Sequence, residues 1–377
     1  IDGNDVLTLV KTLEDLKKIK GPRILHIITK KGKGLKEAEE NPITYHAPGV
    51  FDAKTGQRES CNDPNGCPIK FQDVFGETLV ELAKVNNKIV GITPAMLSGC
   101  SMNCLIKAFP ERTFDVGIAE QHALTFSAGM AASGLIPFCN VYSSFMQRAY
   151  DQIIHDIALQ KLPVIMCLDR AGLVGDDGAT HHGVFDLSYL RPIPNLTIFA
   201  PLNEIELRNM MFTAQQGINY PLVIRYPRGK GFIVDWRQEF KQIEIGKAEK
   251  ICEGKDIAIL ALGSIGNNAI SAAKDLEKEG IEVSVYNMRF LKPMDTSILE
   301  EVFAKFDNII TIEDGTKIGG FGSAVVEYAC EKGYMNKIYV MGIDDNFIEH
   351  GSVKELQKLC KIDSHSLVLK AKEILNR

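Results

Sequence analysis

Between residues 71 and 360, short apolar runs alternate with longer stretches in which apolar residues recur at helical spacing. The runs predict buried strands, and the stretches predict helices that cover them. Phe71–Val85 reads as an amphipathic helix, Ile89–Ile92 as a strand, and 101–108 as a helix. The segment 119–133 reads as a helix rich in Ala and Gly and apolar on most sides. Strands are expected at Ile136–Val141, Pro163–Leu168, Leu196–Ala200 and Leu222–Tyr226, with helices between them. A second series follows, with strands at Asp256–Leu262, Glu282–Tyr286, Asn308–Ile312 and Lys337–Val340 and helices near 265–278, 296–305, 320–332 and 352–360. This alternation predicts an α/β class: two doubly wound domains, each with a parallel sheet covered on both faces.

The first residues follow another pattern. Val6, Leu7, Val10, Leu13 and Leu16 fall at helical spacing, and Ile24–Ile28 reads as a short buried strand. A charged stretch containing Lys30, Lys31 and Lys33 then runs to Tyr45-His46. One helix, one strand and a polar tail cannot enclose a core, so residues 1–52 are expected to be the tail of a preceding α/β domain. Residues 53–68, rich in Asp, Gly, Asn and Pro, read as a linker, and 69–230 as a complete domain. A second linker is expected at 231–245 and a last domain at 246–377.

The 377 residues are 45% apolar and 24% charged, with a net charge of −5, which gives no electrostatic footprint for nucleic acid. No apolar run approaches the roughly 18–20 residues of a membrane span. Nine cysteines without a Cys-x-x-Cys pair predict reduced thiols, several of them buried, in a reducing compartment. Cys61 and Cys67 leave pairing or metal ligation open. Gly263-Ser264-Ile265-Gly266 and Gly319-Gly320-Phe321-Gly322 lack the full dinucleotide pattern, and no Walker lysine follows, so they predict tight strand-to-helix packing.

Three polar clusters fall just after expected strands, where open α/β sheets place their ligands: Phe114–Ala123, Tyr142–Gln152 and Leu168–Gly172. Taken singly, each member has a plain explanation. A carboxylate such as Glu120 in a first helical turn gains from the helix dipole, Phe145 fits a core, and arginines usually face solvent or an ion pair. Taken together the clusters are specific. Ile118-Ala119-Glu120-Gln121-His122, Tyr142–Gln152 and Asp169-Arg170-Ala171-Gly172 resemble the pyrimidine-binding domain of the transketolase family. Asp177–Gly183 and Arg225–Gly229 are similar to its 1-deoxy-D-xylulose-5-phosphate synthase branch. Residues 29–34 and 43–46 resemble the end of that branch's first domain, so the likeness covers essentially the whole chain.

The resemblance implies a thiamine-diphosphate-dependent transferase that decarboxylates pyruvate and joins the two-carbon unit to D-glyceraldehyde 3-phosphate, opening non-mevalonate isoprenoid precursor synthesis. It also implies a homodimer in the bacterial cytoplasm, with a plastid left open. It assigns catalysis to Glu120, His46 and His181, and cofactor contacts to Glu120, Phe145, Arg148 and Ile118. Glu120 would bond a pyrimidine ring nitrogen, and Phe145 would stack on that ring. Substrate contacts fall to Tyr142, Arg148, Arg170, Asp177, His181 and Arg228. Guanidinium forks suit a phosphate dianion, and histidines exchange protons near neutral pH. Spacing from Asp177 favours His181 over His182, while His122, within an apolar helix, reads as structural or near the site. The family's Gly-Asp-Gly motif, which holds Mg2+ and the diphosphate, does not occur here, so no metal ligand is expected in this chain. The ion and the diphosphate are assigned to a missing N-terminal part, expected as a partner. A β-type subunit of a 2-oxoacid dehydrogenase, a transketolase proper and a non-catalytic module of the same fold are the alternatives.

Overall fold

The computed structural model describes residues 1–46, 51–52, 54–57 and 66–376, which fall into two compact units, Ile1–Cys67 and Pro68–Arg377. In the first unit, Asp5 caps a helix over Val6–Lys17 by accepting from the Thr8 amide at 3.1 Å. No residue of that helix is buried. The strand expected at Ile24–Ile28 does not form. A single parallel bridge, Asp2 to Ile28, stands in its place, and Ile24 is almost wholly exposed. A strand needs a paired neighbour and a covering layer, and here Ile28 pairs with Asp2 alone.

The described residues of the second unit form twelve strands: β1 (Ile89–Thr93), β2 (Thr113–Asp115), β3 (Ile136–Tyr142), β4 (Ile165–Ala171), β5 (Thr197–Phe199), β6 (Leu222–Pro227), β7 (Glu249–Cys252), β8 (Ile257–Ala261), β9 (Val283–Asn287), β10 (Phe290–Lys292), β11 (Asn308–Thr316) and β12 (Lys337–Ile343). They build a seven-stranded sheet in the order β10-β5-β6-β4-β3-β1-β2 and a five-stranded sheet in the order β12-β11-β8-β9-β7. Two edge strands break the parallel rule that the alternation predicts. β7 runs antiparallel to β9, and β10 runs antiparallel to β5, with Phe290 opposite Phe199. β10 follows β9 of the smaller sheet in sequence yet completes the larger one, so the two sheets are tied by a shared segment.

One apolar core lies between the sheets. It gathers Ile92, Met166 and Leu168 from the first, with Leu124 of the helix Glu120–Ala132, and Leu260, Tyr286 and Ile309 from the second, with Phe321 of the helix Phe321–Lys332. On the other face of the larger sheet, the helix Phe71–Val85 lays down Phe71, Phe75, Leu79 and Leu82, the stripe expected of an amphipathic helix. The helix Glu120–Ala132 departs from expectation. Ala123, Leu124, Ser127, Ala128 and Ala131 are buried, but Gln121, His122, Thr125 and Gly129 are exposed, so it is covered on one side only.

The Gly319–Gly322 turn is occupied by the protein itself. The buried Glu313 carboxylate accepts from the amides of Phe321 at 2.9 Å and Gly322 at 2.8 Å, which fills the helix N-terminus where a phosphate would otherwise sit. A Cβ on Gly320 would lie 2.2 Å from Glu313 Oε2, so the close approach requires glycine. Cys100, Cys139 and Cys167 are free and buried, and burial pushes the thiols of Cys100 and Cys139 up to about 12. Cys67 departs from the expectation of reduced thiols, being disulfide-bonded, while Cys61 lies outside the described residues.

Candidate active site

The site is built where β2, β3, β4 and β6 end, on either side of the point at which strand order reverses about β1. After β2, Asp115 Oδ1 accepts from the amides of Ala95 at 2.8 Å and Gly117 at 3.0 Å, which turns the chain sharply. Gly117, at φ +73°, supplies the left-handed step. The helix then starts at Glu120, which is only 2% exposed. Two positive groups lie at its carboxylate: the N-terminus of a 13-residue helix, and Arg148 Nη1 at 3.5 Å from Oε1. Ile118, in the preceding turn, is 79% exposed.

After β3 comes a layered set of rings. Tyr142 stacks on Phe145 with centroids 5.7 Å apart, and the His181 ring meets Phe145 edge-on at 5.2 Å. Arg170 places its guanidinium carbon 3.9 Å from the Tyr142 ring centroid, and Arg148 lies 5.7 Å from that of Phe145. Burial pushes the Tyr142 hydroxyl up to about 12, so the phenol keeps its proton. That hydroxyl fits against Gly99, where a Cβ would sit 1.9 Å away.

β4 loses register against β6 between Leu168 and Ala171, and Arg170 adopts φ +63° there. A left-handed arginine at a break in the ladder stores strain, of the kind that holds functional side chains in place. Arg170 and Arg228 then converge. Asp177 Oδ2 lies 2.9 Å from Arg170 Nη1 and 3.0 Å from Arg228 Nη1. Arg228 Nη1 also donates to the Val174 carbonyl at 2.8 Å, and Arg170 Nε is buried without a partner. His181 Nδ1 lies 2.8 Å from Thr180 Oγ1.

Glu120, Tyr142, Phe145, Arg148, Arg170, Asp177, His181 and Arg228 are thus brought to one end of one sheet. His46 belongs to the first unit and is exposed. His182 is a packing residue: it is buried, Nδ1 accepts from the Val174 amide at 3.0 Å, and Nε2 lies 3.2 Å from the Glu349 carbonyl. His122 is not inside an apolar environment as expected; it is exposed and stacks on Phe126 at 5.6 Å. Among the described residues, no group of three or more His, Cys, Asp or Glu side chains could hold a metal ion.

Two charged residues beneath the site carried a signal that hydrophobic patterning passed over, since each interrupts an apolar strand. Asp169, within Ile165–Ala171, is fully buried with both carboxylate oxygens unpartnered, and burial pushes it up to about 7. The Arg170 charge and amide and the Tyr226 hydroxyl oppose that rise, though none of them is in hydrogen-bonding geometry with the carboxylate. Arg225, within Leu222–Pro227, is buried between Asp186, at 2.9 Å from Nε, and Asp314, at 2.7 Å from Nη1.

The comparisons with known proteins agree with this geometry. The family model "Transketolase, pyrimidine binding domain" matches residues 68–232, and "Transketolase, C-terminal domain" matches 246–367. The chain is 56% identical over 99% of its length to a 1-deoxy-D-xylulose-5-phosphate synthase of Parabacteroides distasonis, covering 59% of that protein. It is 50% identical to one of Aquifex aeolicus over 97% of its length, covering 58% of that protein. The chain therefore spans about three fifths of the length of these curated relatives. Among solved structures, a transketolase of Campylobacter jejuni shares the fold, with a TM-score of 0.68 at 22% identity, over 82% of this chain and 47% of that one. A chain described as a split gene transketolase, inactive beta4 tetramer, is 33% identical at a TM-score of 0.71, and the match takes in 82% of this chain and 99% of that one. On the two domain models and that near-complete match, the chain belongs to the transketolase family.

Proposed function

We propose that this chain carries the pyrimidine-binding part of a 1-deoxy-D-xylulose-5-phosphate synthase, which converts pyruvate and D-glyceraldehyde 3-phosphate to 1-deoxy-D-xylulose 5-phosphate and carbon dioxide. The observation that carries the reading is the meeting of Arg170 and Arg228 at Asp177, beside the Tyr142–Phe145–His181 ring stack. The identity of 56% to a synthase over nearly the whole chain favours it over a 2-oxoacid dehydrogenase subunit.

Thiamine diphosphate fits the residues present. Glu120 offers a buried carboxylate, an acceptor suited to a protonated ring nitrogen, and Phe145 offers a half-buried aromatic face. When bound, the cofactor supplies an electron sink for the carbon–carbon bond that breaks and the one that forms. Glu120 would hold the pyrimidine by accepting a hydrogen bond from that ring nitrogen. Ile118 and Arg148 complete the lining on this side. The planar forks of Arg170 and Arg228 bind the acceptor phosphate, which must compete with Asp177 for them. His181, held at Nδ1 by Thr180, delivers a proton at Nε2 to the aldehyde oxygen as it becomes a hydroxyl. The Tyr142 phenol, kept protonated by burial, donates a hydrogen bond to the same acceptor.

Mg2+ and the diphosphate are assigned to residues beyond this chain, on the ground that the family's Gly-Asp-Gly motif does not occur in it. The inactive split-gene relative of similar extent supports a site that needs a second piece. A cytoplasmic homodimer completes the reading; no helix among the described residues is long and apolar enough to cross a membrane. Expression from the complete gene, followed by incubation with pyruvate, D-glyceraldehyde 3-phosphate, cofactor and Mg2+, tests it directly. The expected result is carbon dioxide and the deoxyketose phosphate in equal amounts. Turnover only with a ketose phosphate donor would make the protein a transketolase proper and end this reading.

A further inference from the structure

The segment 172–183, which carries Asp177 and His181, is clamped at both ends to the C-terminal domain. At its base, Gly172 and Gly183 exchange backbone hydrogen bonds of 2.8 Å in each direction. Asp314, at the end of β11, lies against this pair so closely that a Cβ on Gly172 would sit 2.3 Å from its Oδ2. The neighbouring Thr316 amide donates to the Val184 carbonyl at 2.8 Å. Next to Gly183, His182 Nε2 lies 3.2 Å from the Glu349 carbonyl. Arg225 fixes Asp314 from below and also holds Asp186, whose Oδ2 accepts from Ser143 Oγ at 2.9 Å, next to Tyr142. A buried arginine shared by two carboxylates is therefore wired to the bases of both site loops.

We propose that Asp314 and Arg225 are positioning residues, through which the C-terminal domain sets the acceptor loop and with it the affinity for the phosphorylated aldehyde. The inference rests on the synthase reading for its substrate, but not for the clamp itself. Neither residue touches the reacting atoms. They act by holding Gly172, whose φ of +71° starts the loop, against Asp314 of β11. The C-terminal domain is then a working wall of the site and not only a packing partner.

Asp314→Asn tests this, because the amide keeps the shape and weakens the ionic grip on Arg225. Hydrogen exchange of this chain should accelerate about 10-fold or more across 172–183, with β8 and β9 unchanged. In the protein expressed from its complete gene, KM for D-glyceraldehyde 3-phosphate should rise about 10-fold, with kcat and KM for pyruvate held within about twofold. A purely structural role would lower stability and all kinetic constants together. Gly172→Ala, which pushes on Asp314 from the other side, should reproduce the same split and serves if the first variant folds poorly. Unchanged exchange in the loop overturns the clamp whatever the enzyme does. A loosened loop with an unchanged aldehyde KM overturns the positioning role. A loosened loop in a protein whose wild type makes no deoxyketose phosphate leaves the clamp standing and removes the synthase reading.

Discussion

Arg148 Nη1 lies 3.5 Å from the buried carboxylate of Glu120, while its guanidinium carbon stands 5.7 Å from the Phe145 ring centroid. One largely exposed cation thus touches both residues assigned to the cofactor's pyrimidine ring. Glu120 in turn sits where a helix begins and where almost no water reaches it.

Glu120→Gln should therefore leave the fold intact and abolish activation of the cofactor. The amide keeps the shape but replaces an acceptor-only anion with a group that cannot stabilise a proton on the ring nitrogen. Proton–deuterium exchange at the cofactor's reactive carbon, measured in the complete protein, should fall by orders of magnitude. Exchange at the wild-type rate in the variant would take Glu120 out of the mechanism.

The convergence on Asp177 makes a different prediction for Arg170 and Arg228. Truncating either removes a charge-assisted hydrogen-bonding partner of the phosphate, worth on the order of 1.5–3 kcal/mol, or roughly 10- to 150-fold in KM for D-glyceraldehyde 3-phosphate. Non-phosphorylated D-glyceraldehyde should be handled almost as by the wild type, and KM for pyruvate should change little. Steady-state kinetics with both aldehydes checks this. Equal losses with the two would assign these arginines to structure or to the cofactor.

Asp169 ties stability to pH. Burial raises its folded value to about 7 from the ordinary 3.8, so the folded state holds a proton that the unfolded chain releases. Its contribution is fully present below pH 4 and is lost as pH rises toward 7, at roughly 1.4 kcal/mol per unit. Asp169→Asn mimics the protonated form and has nothing to lose. Its stability advantage over the wild type, measured by urea unfolding, should widen from pH 5 to pH 7 and then level off. A constant gap across that range would mean the carboxylate is ionised in the folded state.

This chain by itself should bind thiamine diphosphate weakly. One carboxylate and one stacking ring hold the pyrimidine, but the described residues offer no metal cluster for the magnesium that would grip the diphosphate. Calorimetric titration of the chain with cofactor and Mg2+ should show no binding tighter than about 0.1 mM, a free energy of roughly 5–6 kcal/mol. Micromolar binding would point to a diphosphate site within these residues.

The alternation of apolar runs and amphipathic stretches was enough to determine the α/β class and the succession of most strands and helices, because burial on a sheet face and on a helix face leaves different periods in the chain. The polar clusters after β2, β3 and β4 were legible too, since unlike residues repeatedly followed a strand end. The three-residue edge strand β10 was not legible. A segment that short carries no period, and its place beside β5 depends on a partner some ninety residues away. The Ile24–Ile28 run failed for the converse reason: its composition suits a strand, but pairing and cover are not local properties. The roles of Asp314 and Arg225 were equally out of reach. A buried ion pair is a meeting of two side chains 89 positions apart, and only the packing of one sheet against the other decides that they meet, with water excluded, beneath the loop that carries Asp177 and His181.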